Sequence, residues 1–162
     1  MGGMYVIKVL LVDDEQYIRE GLRQLVDWGE YGYEIVGEAG NGVDAIAILE
    51  ESQIDVVFVD IRMPKMTGLE LIEYVQEKLH RNIQFVILTG YADFEYARMA
   101  ICMQVKNYML KPIQKEELSD ILHKLNKEHQ IMQVKEQEHY FFAVSAVVHG
   151  KYTEDDLETV YS

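Results

Sequence analysis

Residues 6–14 read VIKVLLVDD, an apolar run with a single lysine that ends in two aspartates. Such a run, rich in β-branched residues, predicts a strand that is buried on both faces. Four similar runs follow, at residues 34–39, 54–59, 83–88 and 106–110. The segments between them repeat apolar residues at spacings of three and four, which is typical of helices packed on one face. Strands and helices in this alternation predict a doubly wound α/β fold, with one five-stranded parallel sheet covered by helices on both faces.

The composition excludes several classes of protein. The chain has 162 residues, and its 15 Lys or Arg against 28 Asp or Glu give a formal net charge of −13. A surface of this charge repels DNA and anionic lipid. The single cysteine, Cys102, cannot form an internal disulfide, and no apolar stretch reaches the roughly 18 residues that a membrane span needs. We therefore expect a cytoplasmic domain that contacts neither membrane nor, by itself, DNA.

Polar side chains follow four of the five predicted strands. Asp13 and Asp14 come after the first strand, Asp60 after the third, Thr89 after the fourth and Lys111 after the fifth. In a doubly wound sheet, ligands bind outside the carboxyl ends of the strands. One acid at such a position is more often a helix cap or a solvated turn. Acids, a hydroxyl and an ammonium group that converge on one edge predict a functional site.

The three aspartates favour a metal ion. Neighbouring strands lie about 4.8 Å apart, and two carboxylates at such a distance repel by up to about 4 kcal/mol. The cluster therefore needs either protonation or a hard cation. Oxygen ligands with room for water favour Mg²⁺ over a calcium cage. Zinc is disfavoured because no cysteine or histidine lies near these aspartates in the sequence. We expect Mg²⁺ and no organic cofactor.

Magnesium beside a lysine and a hydroxyl is typical of a site for a phosphoryl group. Lys111 and the cation would neutralise the phosphoryl oxygens, and the Thr89 hydroxyl would donate to them. Asp60 is the better nucleophile because it alone follows the central strand, and its product would be an acyl phosphate. Pro112 directly follows Lys111, and an X-Pro bond at that place can be cis.

These residues resemble the receiver domain of two-component response regulators. Five motifs carry the resemblance in order: VLLVDDE at 9–15, VDIRMP at 59–64, GLE at 68–70, LTGY at 88–91 and YMLKP at 108–112. The resemblance implies a flavodoxin-like fold with strand order 2-1-3-4-5. Segments 28–34 and 90–97 look most like receivers attached to arabinose-regulator-type helix-turn-helix output domains.

The resemblance also implies roles for the residues at the metal site. Asp60 would be the phosphoacceptor, supplied by a phosphohistidine on a sensor histidine kinase. Asp14, Asp60 and the backbone carbonyl of Arg62 would bind Mg²⁺, and Asp13 would act mainly through bound water. The Arg62 side chain, two residues after the acceptor, could either reach the phosphoryl oxygens or obstruct water.

Thr89 and Tyr108 would form the switch pair of such a domain. In the family, the threonine hydroxyl moves to the phosphoryl group and the aromatic ring turns inward, which alters the face formed by the fourth helix, fifth strand and fifth helix. Phosphorylation adds about −1.5 to −2 charge, so it can draw Thr89 and Lys111 toward the acceptor. We expect a signalling switch with slow self-dephosphorylation rather than a turnover enzyme, and a homodimer that forms on phosphorylation.

The chain divides into three predicted parts. Residues 1–4, MGGM, are expected to be a cloning remnant and the start of the protein. Residues 5–126 form the receiver domain. Residues 127–162 form a helical extension toward an output domain that the chain does not include, and DNA would be bound only through that domain. Gln104 stands where the family often has glycine; if this position needs a positive φ, either the glutamine is strained or the loop takes a different path.

Three other classes fit the residues less well. A haloacid-dehalogenase-type phosphatase pairs its nucleophile with a second aspartate two residues on, where this chain has Arg62. A flavin- or nucleotide-binding protein needs a glycine- or hydroxyl-rich phosphate loop after the first strand, and residues 13–15 are all acidic. A receiver that signals without phosphate does not require the complete set of acids, threonine and lysine.

Overall fold

The computed structural model of the chain describes residues 5–90 and 94–150. Five parallel strands form one sheet in the order β2-β1-β3-β4-β5. This topology confirms the predicted flavodoxin-like α/β fold and its strand order. The strands are β1 (Ile7–Val12), β2 (Tyr33–Ala39), β3 (Val56–Asp60), β4 (Gln84–Thr89) and β5 (Asn107–Leu110).

Two site residues close their strands instead of following them. Asp60 pairs with Leu88, and Thr89 pairs with Leu110, so both belong to the hydrogen-bonded ladder. The predicted strands 54–59 and 83–88 therefore end one residue early. A polar residue can be the last paired residue of a strand, because parallel strands pair through backbone N–H and C=O groups and not through side chains.

Helices follow each strand. Two of them begin with a side-chain cap, because Asn41 accepts from the backbone N–H of Asp44 and Thr67 accepts from that of Glu70. A short 3₁₀ turn, Trp28–Tyr31, precedes β2, and one π-helical turn, Val75–Leu79, extends the third helix. The helices are α1 (Gln16–Leu25), α2 (Gly42–Glu51), α3 (Gly68–Tyr74), α4 (Phe94–Cys102) and α5 (Lys115–Val148).

The core fills both faces of the sheet. On one face, Leu10, Val57 and Ile87 pack in one cluster with buried residues of α2 and α3. Elsewhere in the core, Trp28 makes edge-to-face contacts with Tyr33 and Phe58, at ring centroid distances of 6.2 and 5.5 Å. Because every residue of β3 is buried, the central strand forms a rigid base for whatever lies at its end.

The chain forms two compact units, Met1–His123 and Lys124–Ser162. The first contains the whole sheet and the start of α5. Within the second, α5 continues to Val148. Along the described residues, no helix combines the length and apolar character that crossing a membrane requires. The predicted cloning remnant and residues 151–162 of the predicted extension lie outside the described residues.

The backbone has two of the features considered from the sequence. The Lys111-Pro112 peptide bond is cis, and Gln104 has a φ of 64°. Gln104 ends the turn after α4, where its N–H donates to the carbonyl of Ile101. The loop keeps the left-handed turn that glycine would adopt without strain, with glutamine in its place.

Candidate functional site

The ends of three strands bring the site together. Leu11 lies opposite Phe58, so Asp13 and Asp60, each two residues further on, reach the same level on neighbouring strands β1 and β3. Lys111 follows β5 and continues its ladder, since its N–H donates to the carbonyl of Thr89 at 2.8 Å. Its long side chain crosses β4, and the ammonium nitrogen lies 2.8 Å from Asp13 Oδ2 and 3.2 Å from Asp60 Oδ2.

Asp13 is only 1% exposed, and both its backbone and its carboxylate form hydrogen bonds. Its N–H donates to the carbonyl of Ala39 at 3.1 Å, and its Oδ1 accepts from the backbone N–H of Glu15 at 2.9 Å. Burial raises the pKa of the Asp13 carboxyl above its usual value, although the hydrogen bonds from Lys111 and Glu15 act in the opposite direction.

Asp60 has the most strongly shifted pKa among the acids of the site. It is 6% exposed, and its Oδ1 accepts from the backbone N–H of Arg62 at 3.4 Å. Burial, followed by the negative charge of Asp13, raises the pKa of Asp60 from 3.8 to about 6, against the lowering effect of Lys111. Asp60 is thus ionised near neutral pH but poorly compensated, which is typical of a carboxylate that awaits a positive partner or a reaction.

Lys111 is a cation at neutral pH. Burial lowers the pKa of its ammonium group, but the hydrogen bonds and charges of Asp13 and Asp60 outweigh burial, and the net pKa is raised. A single lysine thus lies between two buried carboxylates and is the positive group that contacts both.

Four carboxylates can meet at one point. Asp13, Asp14, Glu15 and Asp60 each offer one oxygen, and these oxygens all lie within 4.8 Å of one another. Glu15 also lies 3.7 Å from the Lys111 ammonium. Sequence reasoning assigned the three aspartates to the metal site but gave Glu15 no part, although it directly follows them. An all-oxygen, mostly carboxylate set fits a hard divalent cation such as Mg²⁺.

Gly68 packs against the acceptor loop, the segment that begins at Asp60 and leads to α3. The sequence alone indicates no role for Gly68 at the site. A Cβ built on Gly68 would come within 2.3 Å of the backbone oxygen of Asp60. Its N–H donates to the carbonyl of Ile61 at 2.9 Å. Only glycine permits this approach, which packs the start of α3 against the end of β3.

The remaining predicted residues are Thr89, Tyr108 and Arg62. Thr89 is buried at the end of β4, and its hydroxyl donates to the carbonyl of Gly90 at 3.1 Å. Tyr108 lies opposite Ile87, two residues before the partner of Thr89, and is therefore on the same face of the sheet. It is 54% exposed. The guanidinium of Arg62 lies over the ring of Tyr96 in α4, 5.5 Å from its centroid.

Comparisons with known proteins match the chain to one family. Residues 9–123 match the response regulator receiver domain. The transcriptional regulatory protein HptR of Staphylococcus aureus is 38% identical over 120 residues, which are 74% of this chain and 46% of that protein. The receiver domain of AraT, a response regulator from Geobacillus stearothermophilus, has a TM-score of 0.74 and 42% identity, covering 79% of this chain and 98% of that one. A two-component transcriptional regulator AraC from Clostridium phytofermentans has a TM-score of 0.69 and 32% identity, covering 76% and 98%.

The chain therefore belongs to the response regulator receiver domain family. It is the receiver domain of a two-component response regulator, and the resemblance to arabinose-regulator-type receivers is confirmed. The chain spans about half the length of the curated relatives that it matches.

Proposed function

We propose that this receiver accepts a phosphoryl group on Asp60 from a phosphohistidine of a sensor histidine kinase. The observation that carries the proposal is the buried Asp60 carboxylate, with the Lys111 ammonium 3.2 Å away and three further acids around it. An Asp60 oxygen attacks phosphorus as the bond from phosphorus to the kinase imidazole nitrogen breaks. The histidine leaves with the electron pair of that bond, and an acyl phosphate remains on Asp60.

The chain's own groups prepare this transfer. With a pKa of about 6, Asp60 is mostly ionised at neutral pH and can act as the nucleophile. Lys111 pairs with Asp60 before the reaction and can follow the charge onto the phosphoryl oxygens afterwards. Asp14, Asp60 and the backbone carbonyl of Arg62 would hold Mg²⁺, with Asp13 acting through water. The cation would neutralise the oxygens of the incoming phosphoryl group.

Phosphorylation then switches the surface. The added charge draws the Thr89 hydroxyl and Lys111 toward Asp60, and the exposed ring of Tyr108, on the same face as Thr89, turns into the space that is left. The face formed by α4, β5 and the start of α5 changes as a result. A shift from mostly off to mostly on needs roughly 5 kcal/mol of differential stabilisation, which a few charge-assisted hydrogen bonds can supply. The domain is a switch, with self-dephosphorylation slow and no catalytic turnover.

The output is transcription. HptR is a transcriptional regulatory protein by name, and we extend this role to the present protein. Residues 127–162 would lead from the receiver, residues 5–126, to a DNA-binding output domain. The net charge of −13 makes DNA contact by the receiver itself unfavourable. Homodimerisation would follow phosphorylation, in the cytoplasm.

Beryllofluoride, which mimics a phosphoryl group on aspartate, tests the proposal. With Mg²⁺ present it should shift the amide signals of Thr89, Tyr108 and their neighbours. The variant Asp60→Asn should not respond, because its amide cannot hold the beryllium. Unchanged spectra of the wild type at saturating Mg²⁺ and beryllofluoride would contradict the proposed function.

A further inference from the structure

Arg19 connects the acidic loop after β1, which is residues 13–15, to strand β2 at the edge of the sheet. Its Nη1 donates to the backbone carbonyl of Asp13, and its Nε lies 3.2 Å from Glu38 Oε1 on β2. The other carboxylate oxygen of Glu38 accepts from Arg23 Nη2 at 2.7 Å. The Arg19 side chain is only 17% exposed, so solvent screens these contacts less than those of an open surface pair.

The contact fixes the peptide that joins the two aspartates. A peptide group is planar, so the bond from Arg19 to the Asp13 carbonyl orients the whole Asp13–Asp14 unit. The N–H of Asp13 is held by Ala39, and its carboxylate by Lys111 and Glu15. Arg19 supplies the remaining restraint on the Asp13 main chain. The same planar peptide fixes the position of the Asp14 Cα, from which the side chain leaves the backbone.

A register shift in the sheet places the partner of Arg19. Val9 lies opposite Ile35, but Leu10 lies opposite Gly37, so β2 contains one extra residue there. Because successive side chains in a strand point to opposite faces, one extra residue reverses the face of every residue that follows. Glu38 consequently lies opposite Leu11 and reaches α1.

We infer that Arg19, braced by Glu38, is a positioning residue that holds the Asp13–Asp14 peptide in the orientation needed to bind Mg²⁺. This inference rests on the proposed function. Two effects of Arg19 on the cation have opposite signs. Its positive charge repels a divalent cation, so loss of the charge alone would tighten binding. Its hydrogen bond preorganises the ligands, so loss of the bond weakens binding, and the inference is that this second effect is the larger.

The test measures the Mg²⁺ dissociation constant of the full 162-residue chain from amide shifts of the acidic loop. Arg19→Met should weaken binding about tenfold, the lower end of what loss of an outer-shell partner costs. Arg19→Lys keeps the charge but lacks the planar fork that reaches both Asp13 and Glu38, so it should also bind more weakly. Arg23→Met is the matched control. It shares Glu38 but does not contact the loop, and its affinity should change less than about twofold.

Folding is monitored separately through Trp28, the only tryptophan, so that affinities are compared between folded proteins. If Arg19→Met does not fold, Glu38→Gln replaces it, because its neutral amide weakens the brace and leaves Arg19 in place. Its affinity should fall by about threefold, a partial loss of the same outer-shell support. A folded Arg19→Met that binds Mg²⁺ as tightly as the wild type, or more tightly, overturns the inference, as does an unchanged Glu38→Gln. A wild type that shows no Mg²⁺ response instead overturns the metal part of the proposed function, and the inference with it.

Discussion

The Lys111 ammonium lies 3.2 Å from the Asp60 carboxylate, although Asp60 ends β3 and Lys111 follows β5, and these strands are not neighbours in the sheet. The pair does not fully compensate Asp60, because Asp13 takes the closer contact with the same ammonium, at 2.8 Å. The ionised Asp60 carboxylate therefore lowers the free energy of unfolding of the protein. This relationship has consequences for stability, for the loop that carries Asp60 and for its reaction with phosphoryl donors.

We predict that Asp60→Asn stabilises the protein above pH 6 in the absence of divalent cations. Burial and the charge of Asp13 raise the folded-state pKa of Asp60 from 3.8 to about 6. The folded protein thus binds this proton more tightly than the unfolded chain, and stability is lost as pH rises from about 4 to about 6. The loss is at most about 3 kcal/mol for a shift of this size, and the variant removes it.

Urea unfolding followed by Trp28 fluorescence, with EDTA at pH 4, 6 and 8, measures this effect. The gain of Asp60→Asn over the wild type should be near zero at the lowest pH and largest at the highest. Asp120→Asn removes an exposed carboxylate on α5 and serves as the control. Its free energy of unfolding should depend on pH as that of the wild type does. A gain for Asp60→Asn that is the same at all three pH values would refute the prediction.

The sequence predicts the fold and the centre of the site from strand patterns. Runs such as residues 6–12 and 54–59 are apolar on both faces, which requires a parallel sheet covered on both sides. A parallel sheet brings its carboxyl ends to one edge. The proximity of Asp13, Asp60 and Lys111 follows from those two facts and requires no knowledge of individual contacts.

Contacts made by single side chains could not be predicted in this way. The brace between Arg19 and Glu38 depends on an extra residue in β2, and only Gly37 marks its place in the sequence. The position of Arg62 over Tyr96 depends on how α4 packs. Periodicity reports which face of an element is buried, but it does not report which long side chains meet across two elements.

Gly68→Ala should damage the acceptor loop. The added methyl group would lie 2.3 Å from the backbone oxygen of Asp60 and 3.1 Å from the Cα of Ile61, and neither atom can move like a side chain. We expect a loss of about 2 kcal/mol in the free energy of unfolding, typical of an overpacked site. Gly21→Ala is the control, since nothing lies within 4 Å of its added methyl group.

Gly21 is an exposed residue inside α1, so its replacement should raise the free energy of unfolding by up to about 1 kcal/mol. Thermal unfolding of both variants decides the matter. Equal effects from the two substitutions would show that Gly68 has no special steric role.

Gln104→Gly should stabilise the protein by about 0.5 to 1 kcal/mol. Glutamine at a φ of 64° bears the strain of a left-handed conformation, and glycine relieves it at some cost in unfolded-state entropy. Gln104→Ala keeps a Cβ at this position and should gain nothing. If chemical unfolding gives the alanine and glycine variants the same stability, the left-handed backbone is not the cause.

Removal of residues 140–162 should leave the receiver folded. The sheet and all its helices up to His123 form one compact unit, so the truncated chain retains that unit entirely. Trp28 fluorescence and the midpoint of thermal unfolding should match those of the full chain. A large fall in the midpoint would show that the removed residues belong to the receiver core.

Intact-mass measurement after treatment with acetyl phosphate tests the central claim most directly. In the presence of Mg²⁺, the wild type should gain the mass of one phosphoryl group, and EDTA should prevent the gain. Asp60→Asn should gain none, whereas the control Asp55→Asn, which changes the acid before β3 and leaves the site intact, should react like the wild type. Undiminished labelling of Asp60→Asn would contradict the assignment of Asp60 as the phosphoacceptor.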